Sequence, residues 1–322
     1  MLHYDDLMKL VIQIPAWNEE EHLPTTLESL PREVAGFDEV EIVVIDDGSE
    51  DRTAEVARSF GAHVVRLPIH RGLAVAFAAG IDAGLGRGAD VIVNTDADGQ
   101  YDARDIPALT RPIIEGEAQM VIGDRQVHTI RHFSPTKKFL QKLGSWVVRR
   151  ISHTEVVDAT SGFRAISRDA ALKVHVFTRF TYTLETILQA GEAGLRVVSV
   201  PIRTAEGETR PSRLFRSNAG YVLRSLESLA RIVVLYNPLR IFLRIGAVPV
   251  LVGLILLGRF VYYYATGDSP AGHVQSLILS VILITVGVQV WVVGVVADLI
   301  AVNRRLLEEA VERQRESLGR ED

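Results

Sequence analysis

The feature that most constrains this chain is a run of 24 residues without a charged side chain, residues 274–297. As a helix this run would be roughly 36 Å long, enough to cross the ~30 Å hydrocarbon core of a bilayer. A second apolar run, residues 245–258, continues after Arg259 into three consecutive tyrosines, which would supply an aromatic belt at the membrane surface. The two runs predict a hairpin of transmembrane helices, and a buried pair of helices in a soluble protein is the alternative.

Arginines flank this predicted hairpin at its outer ends. Arg240 and Arg244 precede it, Arg304 and Arg305 follow it, and the short link 266–272 has neither Lys nor Arg. By the positive-inside rule both ends of the hairpin face the cytoplasm. The chain opens without a basic segment followed by a long apolar stretch, so we expect the first ~235 residues to be cytoplasmic as well.

Cysteine is absent from the 322 residues, which excludes a disulfide framework, a thiolate zinc site and a cysteine nucleophile. Charge is spread unevenly: residues 1–130 carry 10 Lys/Arg and 24 Asp/Glu, whereas residues 131–322 carry 25 and 16. An acidic half suits a divalent-cation site, and a basic half suits phosphates or an anionic membrane. The positive charge comes with no nucleic-acid-binding motif, so nucleic acid is not an expected partner.

Short apolar runs alternate with helical patterns through the first hundred residues. The predicted strands are residues 9–14, 41–45, 63–67 and 91–94, and the predicted helices are residues 20–30, 51–60 and 72–85. This alternation of strands and helices predicts an α/β fold with a mostly parallel sheet covered by helices on both faces. In such sheets ligands bind beyond the carboxyl ends of the strands, so the polar residues there are the candidates for a site.

Three of these strand ends carry acidic or amide side chains. Asn18 and Glu19 follow the first strand, an Asp46–Asp47 pair follows the second, and residues 96–100 follow the fourth. A single acidic turn is usually a solvated surface turn without a function. Three polar turns at one edge of a sheet indicate a functional site. Carboxylate oxygens such as those of Asp96 and Asp98 are ligands that Mg²⁺ and Mn²⁺ prefer, with phosphates of a substrate completing the shell.

The segments 14–19, 45–49 and 96–100 together resemble family 2 glycosyltransferases of the GT-A fold, and more narrowly the polyprenyl-phosphate glycosyltransferases of the dolichol-phosphate mannose synthase type. Residues 161–164 and 182–185 match that subgroup too, and the resemblance covers about residues 9–235. It implies a Rossmann-like GT-A sheet that uses Mg²⁺ or Mn²⁺ as its cofactor. The implied metal ligands are Asp96, Asp98 and Gln100.

The nucleotide of the donor is expected at the same edge. The predicted nucleotide-binding residues are Pro15, Ala16, Asn18, Glu19, Asp46, Asp47, Arg71, Gly72 and Asp96. Arg71 and Gly72 enter this set because they open the third helix, where backbone N–H groups and a guanidinium can meet a diphosphate. Ordinary helix-start chemistry is the alternative for these two residues.

The basic half contains candidate membrane and acceptor contacts. Residues 135–151 have apolar side chains at helical spacing among lysines and arginines, which predicts an amphipathic helix on an anionic bilayer, or else a core-packed helix with a basic outer face. Residues 218–237 are a second interfacial candidate. The predicted domains are therefore a catalytic domain 1–216, an interfacial segment 217–240, the hairpin 241–303 with helices at about 241–264 and 274–300, and a charged cytoplasmic tail 304–322.

An anionic acceptor would be held by guanidinium groups, which pair bidentately with phosphate. The predicted acceptor contacts are Arg125, Arg131, Ser161, Arg164, Arg210, Ser212 and Arg213. Residues 209–213 resemble the basic loop of the subgroup, although Arg213 stands where many members have lysine. The residues predicted to take part in catalysis are Asp96, Asp98, Arg125, Arg131 and Arg164.

The expected reaction is an inverting transfer of a hexose from a nucleotide diphosphate sugar, of the GDP-mannose or UDP-glucose type, to dolichyl or undecaprenyl phosphate. The second pKa of a phosphate monoester is about 6, so the attacking oxygen is already anionic and needs no general base. A separate flippase would then move the product, and a homo-oligomer is left open.

Three alternatives remain. A processive polysaccharide synthase would carry a Gln-x-x-Arg-Trp motif, which none of the three tryptophans provides. A nucleotide-dependent oxidoreductase would need its glycine motif after a strand, whereas residues 84–89 end a predicted helix. A membrane-tethered scaffold without activity would be expected to have lost the acidic turn.

Overall fold

The structure is a computed structural model, and it describes residues 7–126, 135–176, 182–204, 234, 238–266 and 274–318. The chain divides into two compact units, Met1–Ser228 with Glu309–Asp322, and Leu229–Glu308. The first unit contains the sheet and the second contains the apolar hairpin.

Seven strands form one sheet in the described part of the chain. They are β1 (Lys9–Ala16), β2 (Glu39–Asp46), β3 (His63–Arg66), β4 (Val91–Asn94), β5 (Met120–Asp124), β6 (Arg164–Ser167) and β7 (Val197–Pro201). Their order is β3-β2-β1-β4-β6-β5-β7. Strands β1 to β4 pair in parallel and β5 pairs in parallel with β7, whereas β6 runs antiparallel to both of its neighbours.

Helices connect these strands and then form the hairpin. They are α1 (Leu23–Ser29), α2 (Thr53–Ser59), α3 (Leu73–Gly86), a 3₁₀ turn (Ala103–Asp105), α4 (Ile106–Ile114), α5 (Pro135–Ser152), α6 (Arg168–Lys173), α7 (Tyr182–Glu192), α8 (Pro238–Ala265) and α9 (Val274–Leu318). The predicted alternation of strands and helices through β4 is confirmed, with boundaries that differ by three residues or fewer.

Strand β1 shows why the sheet is covered on both faces, because nearly all of its residues are buried. Leu10, Ile12 and Ile14 belong to a core cluster that also contains apolar residues of α1 and α4. On the opposite face, Gly80 of α3 lies so close to Gln13 that an added Cβ would stand 2.2 Å from its Oε1 atom. A buried parallel sheet with helices on both sides follows from this burial pattern, and the predicted fold class is confirmed.

The antiparallel strand β6 decides which loops share an edge with the acidic turns. Asn94 at the end of β4 pairs with Arg164 at the start of β6, and Ile122 of β5 pairs with the same residue. The residues that enter β6 therefore lie beside the residues that leave β4 and β5.

Helix α5 confirms the predicted helix at 135–151, and residues 142–152 show how it is oriented. Ser145, Val148 and Ser152 are buried, and the helix packs against α7. The opposite face exposes Lys142, Trp146 and Arg150, with Trp146 54% exposed. Residues 142–152 of α5 thus form a helix that packs on the core and has a basic outer face. Trp146 is exposed on that outer face. The second interfacial candidate, 218–237, lies outside the described residues except for residue 234.

Helices α8 and α9 are each long and apolar enough to cross a membrane, judged by length and composition. They approach closely at glycines: a Cβ added to Gly287 would stand 2.7 Å from the carbonyl oxygen of Gly246. The indole N–H of Trp291 donates to the carbonyl oxygen of Leu243 at 3.0 Å. Helix α9 continues to Leu318, beyond the predicted end of the apolar run.

Candidate active site

The loops that follow β1, β2 and β4 meet at one edge of the sheet. The backbone N–H of Asn18 donates to Ser49 Oγ at 3.0 Å, and Asn18 Oδ1 accepts from the N–H of Glu50 at 2.9 Å. Thr26 Oγ1 donates to the carbonyl oxygen of Ala97 at 2.9 Å, which ties α1 to the turn after β4. The structure therefore brings together the three polar turns that the sequence predicts at this edge.

The first of these turns is shaped mainly by the backbone. Pro15 and Ala16 are the last residues of β1 and are buried. Asn18 adopts a φ of 52°, a left-handed conformation in which asparagine is enriched. Glu19 is half-buried, and its N–H donates to Thr53 Oγ1 at 2.9 Å. These contacts fix the loop that is predicted to receive the nucleotide.

Asp46 is completely buried at the end of β2 and is already engaged by the protein. Its Oδ1 atom accepts from the N–H of Ser49 at 2.9 Å, and its Oδ2 atom lies 3.3 Å from Arg66 Nε. The predicted contact between Asp46 and the nucleotide stays a prediction: Oδ1 is bonded within its own turn, whereas Oδ2 is buried and has no hydrogen-bond partner in the described structure.

Asp47 also accepts hydrogen bonds from the protein, in this case from the start of α3. Its two oxygens accept from the N–H groups of Arg71 at 2.8 Å and Gly72 at 2.7 Å, and His70 Nδ1 lies 2.9 Å away. Gly72 has a φ of 97°, which favours glycine. The two N–H groups predicted to meet a diphosphate are therefore bonded to Asp47, which corresponds to the helix-start alternative.

Trp17 and His70 form a stacked pair that the sequence reasoning did not predict. Their ring centroids are 4.0 Å apart with planes at 20°, and Trp17 is 37% exposed. The sequence contained a hint of this pair, since Trp17 lies within the predicted nucleotide loop and His70 directly precedes the predicted nucleotide contact Arg71.

The turn after β4 is electrostatically different. Asp96 is half-buried, and burial together with the neighbouring Asp98 carboxylate raises the pKa of Asp96 to about 7, although Arg125 and Arg164 act in the opposite direction. Tyr101 hydrogen-bonds to Asp96 through its hydroxyl group, which also accepts from the N–H of Gly162 at 3.1 Å. Asp96 is thus held next to a second carboxylate without enough positive charge to compensate both.

Asp98 and Gln100 lie at the surface of this turn. Gln100 donates to the Asp98 carboxylate from its backbone N–H at 3.2 Å and from Nε2 at 2.8 Å. Asp98 is exposed, so its remaining lone pairs face solvent.

The donor set of this turn fits a hard divalent cation. No group of three or more His, Cys, Asp or Glu side chains that could hold a metal ion occurs among the described residues. Asp96 and Asp98 supply two carboxylates and Gln100 an amide oxygen, and Mg²⁺ commonly binds through one or two carboxylates plus substrate phosphates. A cation between Asp96 and Asp98 would also relieve the repulsion that raises the pKa of Asp96.

Arg125 stands beside this turn and pairs with the loop that enters β6. Its Nε and Nη2 atoms donate to the two oxygens of Asp158 at 2.7 and 3.0 Å, and Nη2 also donates to Thr160 at 2.7 Å. Burial alone would raise the pKa of Asp158, but Arg125 holds it below the ordinary value. Most N–H donors of Arg125, which is predicted to hold an acceptor phosphate, are thus bonded within the protein.

Ser161 and Arg164, both predicted acceptor contacts, are completely buried. Arg164 donates from Nη1 to Thr186 Oγ1 at 2.6 Å, and its guanidinium lies 5.6 Å from the ring centroid of Tyr182. Neither side chain reaches solvent in this structure, and their contact with an acceptor phosphate stays a prediction. The positive charge of Arg164 acts on Asp96 from inside the protein.

Four of the predicted acceptor contacts lie outside the described residues, namely Arg131, Arg210, Ser212 and Arg213. The structure also identifies supporting residues that the sequence reasoning missed. These are Tyr101, Gly162 and Tyr182 around Asp96, and the Asp105–Arg203 pair.

Comparison with known proteins agrees with this architecture. The model of "Glycosyl transferase family 2" matches residues 11–174, just over half of the chain, and the model of the "GtrB C-terminal hairpin" matches residues 237–302. The polyprenol monophosphomannose synthase of Mycolicibacterium smegmatis is 30% identical over 65% of this chain and 82% of its own length.

Two further proteins extend the comparison. The undecaprenyl-phosphate 4-deoxy-4-formamido-L-arabinose transferase of Klebsiella pneumoniae is 29% identical over 93% of this chain and 90% of its own length. The glucosyl-3-phosphoglycerate synthase of Mycobacterium tuberculosis, crystallised with Mn²⁺, UDP and phosphoglyceric acid, superimposes with a TM-score of 0.51 at 24% identity, covering 69% of this chain and 78% of that protein. The chain therefore belongs to glycosyl transferase family 2, and it is a glycosyltransferase with a GT-A fold and a GtrB-type C-terminal hairpin.

Proposed function

We propose that this glycosyltransferase transfers a hexose from a nucleoside diphosphate sugar to a polyprenyl phosphate. The observation that carries the proposal is the combination, in one chain, of the acidic turn 96–100 with the apolar hairpin α8–α9. This combination matches, over 93% of the chain, a relative whose name specifies undecaprenyl phosphate as acceptor. The proposed donor is of the GDP-mannose or UDP-glucose type.

The chain's own residues have distinct tasks in the proposed reaction. Asp96 and Asp98, with Gln100, would hold a Mg²⁺ or Mn²⁺ ion, whose chemistry is to neutralise charge on the departing nucleoside diphosphate. The loops fixed by Asp46 and Asp47 form the rest of the rim on which the donor would lie. Crystals of the glucosyl-3-phosphoglycerate synthase with Mn²⁺ and UDP support a divalent ion in this fold.

The acceptor supplies its own nucleophile. A phosphate monoester is anionic at pH 7, so an oxygen of the lipid phosphate would attack the anomeric carbon, and the bond from that carbon to the diphosphate would break with inversion of configuration. Arg125, one of the predicted acceptor contacts, interacts electrostatically with Asp96 and so lowers the pKa that burial and Asp98 raise. The basic residues Arg131, Arg210 and Arg213 are proposed to complete the acceptor site.

Membrane attachment is part of the proposal. Helices α8 and α9 would span the bilayer with both ends on the cytoplasmic side, since the arginines stand at the outer ends of the hairpin. The acceptor phosphate of a polyprenol lies at the bilayer surface, and the exposed face of α5 with Lys142, Trp146 and Arg150 is suited to that surface.

The test is transfer by the full-length protein in the presence of Mn²⁺, with a panel of radiolabelled nucleotide sugars and polyprenyl phosphate. We expect label from one donor to enter the organic phase as a charged lipid. The matched control is Asp98→Ala, which should lower transfer by about a hundredfold or more and leave the thermal unfolding nearly unchanged. Label in a high-mass polymer would favour a processive synthase, and a protein that neither transfers nor hydrolyses any donor would refute the proposal in favour of a scaffold.

A further inference from the structure

A pair of charged residues far apart in sequence ties the end of β7 to the stretch that follows the acidic turn. Asp105 accepts from the backbone N–H of Arg203 at 2.6 Å, from its Nε at 3.0 Å and from its Nη2 at 2.5 Å. Asp105 is buried, whereas the Arg203 side chain is 56% exposed. A carboxylate that is this well buried and receives three bonds from one residue fixes the main chain as well as the side chain.

Two further contacts join the same two stretches of chain. The N–H of Asp102 donates to the carbonyl oxygen of Arg203 at 3.4 Å, and Tyr101 forms an antiparallel bridge with Thr204. Residues 101–105 are therefore held along their length by residues 203–204.

Tyr101 connects residues 101–105 to the acidic turn 96–100. Its ring is buried and stacks on Phe163, with centroids 5.0 Å apart and planes at 18°. Its hydroxyl accepts from the N–H of Gly162 at 3.1 Å and hydrogen-bonds to Asp96. A continuous set of contacts thus runs from Arg203 through Tyr101 to the carboxylate of Asp96.

We propose that Arg203 and Asp105 are positioning residues for the metal-binding carboxylate Asp96, acting through Tyr101. The proposal rests on the proposed function insofar as Asp96 is a metal ligand there. Contacts behind a metal ligand orient it, and their loss typically costs about tenfold to a hundredfold in metal affinity.

The experiment measures binding of Mn²⁺ alone to the purified full-length protein, by the electron paramagnetic resonance signal of free Mn²⁺. We expect Arg203→Ala and Asp105→Asn to raise the dissociation constant about tenfold. Arg203→Lys keeps a cation and should recover part of the affinity. The matched control is Arg104→Ala: Arg104 pairs with Asp102 in the same stretch but not with Asp105, and its loss should leave Mn²⁺ affinity unchanged.

A merely structural role would move the unfolding temperature without moving the affinity for Mn²⁺. Variants that melt earlier but bind Mn²⁺ as the wild type does would overturn the proposal, and so would a wild-type protein that binds no Mn²⁺. If Arg203→Ala does not fold, Asp105→Asn and Arg203→Lys carry the test. Because binding is measured without any transfer, a wild type that binds Mn²⁺ yet glycosylates no lipid would refute the proposed function and leave this inference standing.

Discussion

Two acidic turns at the same edge of the sheet differ in how deeply their carboxylates are buried. Asp46 and Asp47 are buried and accept bonds from the backbone and side chains around them. Asp98 is exposed and Asp96 half-buried, and burial together with the Asp98 carboxylate raises the pKa of Asp96 to about 7. Acidic residues that follow neighbouring strands can therefore be buried and bonded into the fold in one turn and remain partly open to solvent in the other.

Removing a carboxylate from the second turn is expected to have the largest effect. Asp98→Ala should lower kcat/KM of sugar transfer by about a hundredfold to a thousandfold, because charge on the leaving diphosphate would lose its compensation. The free energy of unfolding should change little, since Asp98 is exposed. The measurement is transfer kinetics beside a denaturant titration, and retained turnover would contradict the metal assignment.

Breaking the ion pair between Arg125 and Asp158 should strongly destabilise the protein. Arg125→Gln leaves a buried carboxylate without its cation, which should cost about 3 kcal/mol of unfolding free energy at pH 7. Because the pKa of Asp158 is lowered in the fold, the pair's contribution is full above the ordinary carboxylate pKa of 3.8 and is lost as pH falls through the lowered value. The difference between variant and wild type should therefore shrink in acid.

A double variant checks the cause of that loss. Arg125→Gln with Asp158→Asn removes both charges, so it should regain part of the stability that Arg125→Gln alone loses. If the two losses simply add, the ion pair is not the reason.

A substitution in the first acidic turn, Asp46–Asp47, should affect the free energy of unfolding more than it affects transfer activity. Asp47→Ala leaves the N–H groups of Arg71 and Gly72 without their acceptor, which should cost about 2 kcal/mol. Denaturant unfolding measures this, and Asp98→Ala is the matched control from the other turn. An Asp47→Ala protein of wild-type stability would show that the two turns do not differ as described.

His70 should contribute least, since it is the exposed partner of Asp47 and of Trp17. His70→Ala should lower the free energy of unfolding by less than about 1 kcal/mol, the value of one stacked pair and one exposed contact. Thermal unfolding of the two variants side by side provides the measurement. A larger loss than in Asp47→Ala would mean that the imidazole, and not the backbone, is the main partner of Asp47.

The sequence predicted the first half of the sheet because each element there is local. Apolar runs at 9–14 and 91–94 are read directly as strands, and the polar residues after them fall at one edge in any parallel sheet. The position of Asp96 and Asp98 follows from that rule alone.

What the sequence could not predict depends on partners distant along the chain. Nothing near Asp47 indicates that the start of α3 will use both of its oxygens, and Arg164 reads as a surface cation until β6 is known to be interior. Asp105 and Arg203 are 98 residues apart, so their pairing appears only when β7 is placed in the sheet.

The reversed direction of β6 has a consequence for how the fold can vary. The excursion that contains α5 departs at Arg125 and returns at Asp158, where the two residues bind each other. Because the two ends of this connection are joined, its length can change without moving β5 or β6, as long as the buried face of α5 stays packed against α7. Relatives with longer or shorter connections at this point would then keep the same strand order and the same loop after β4.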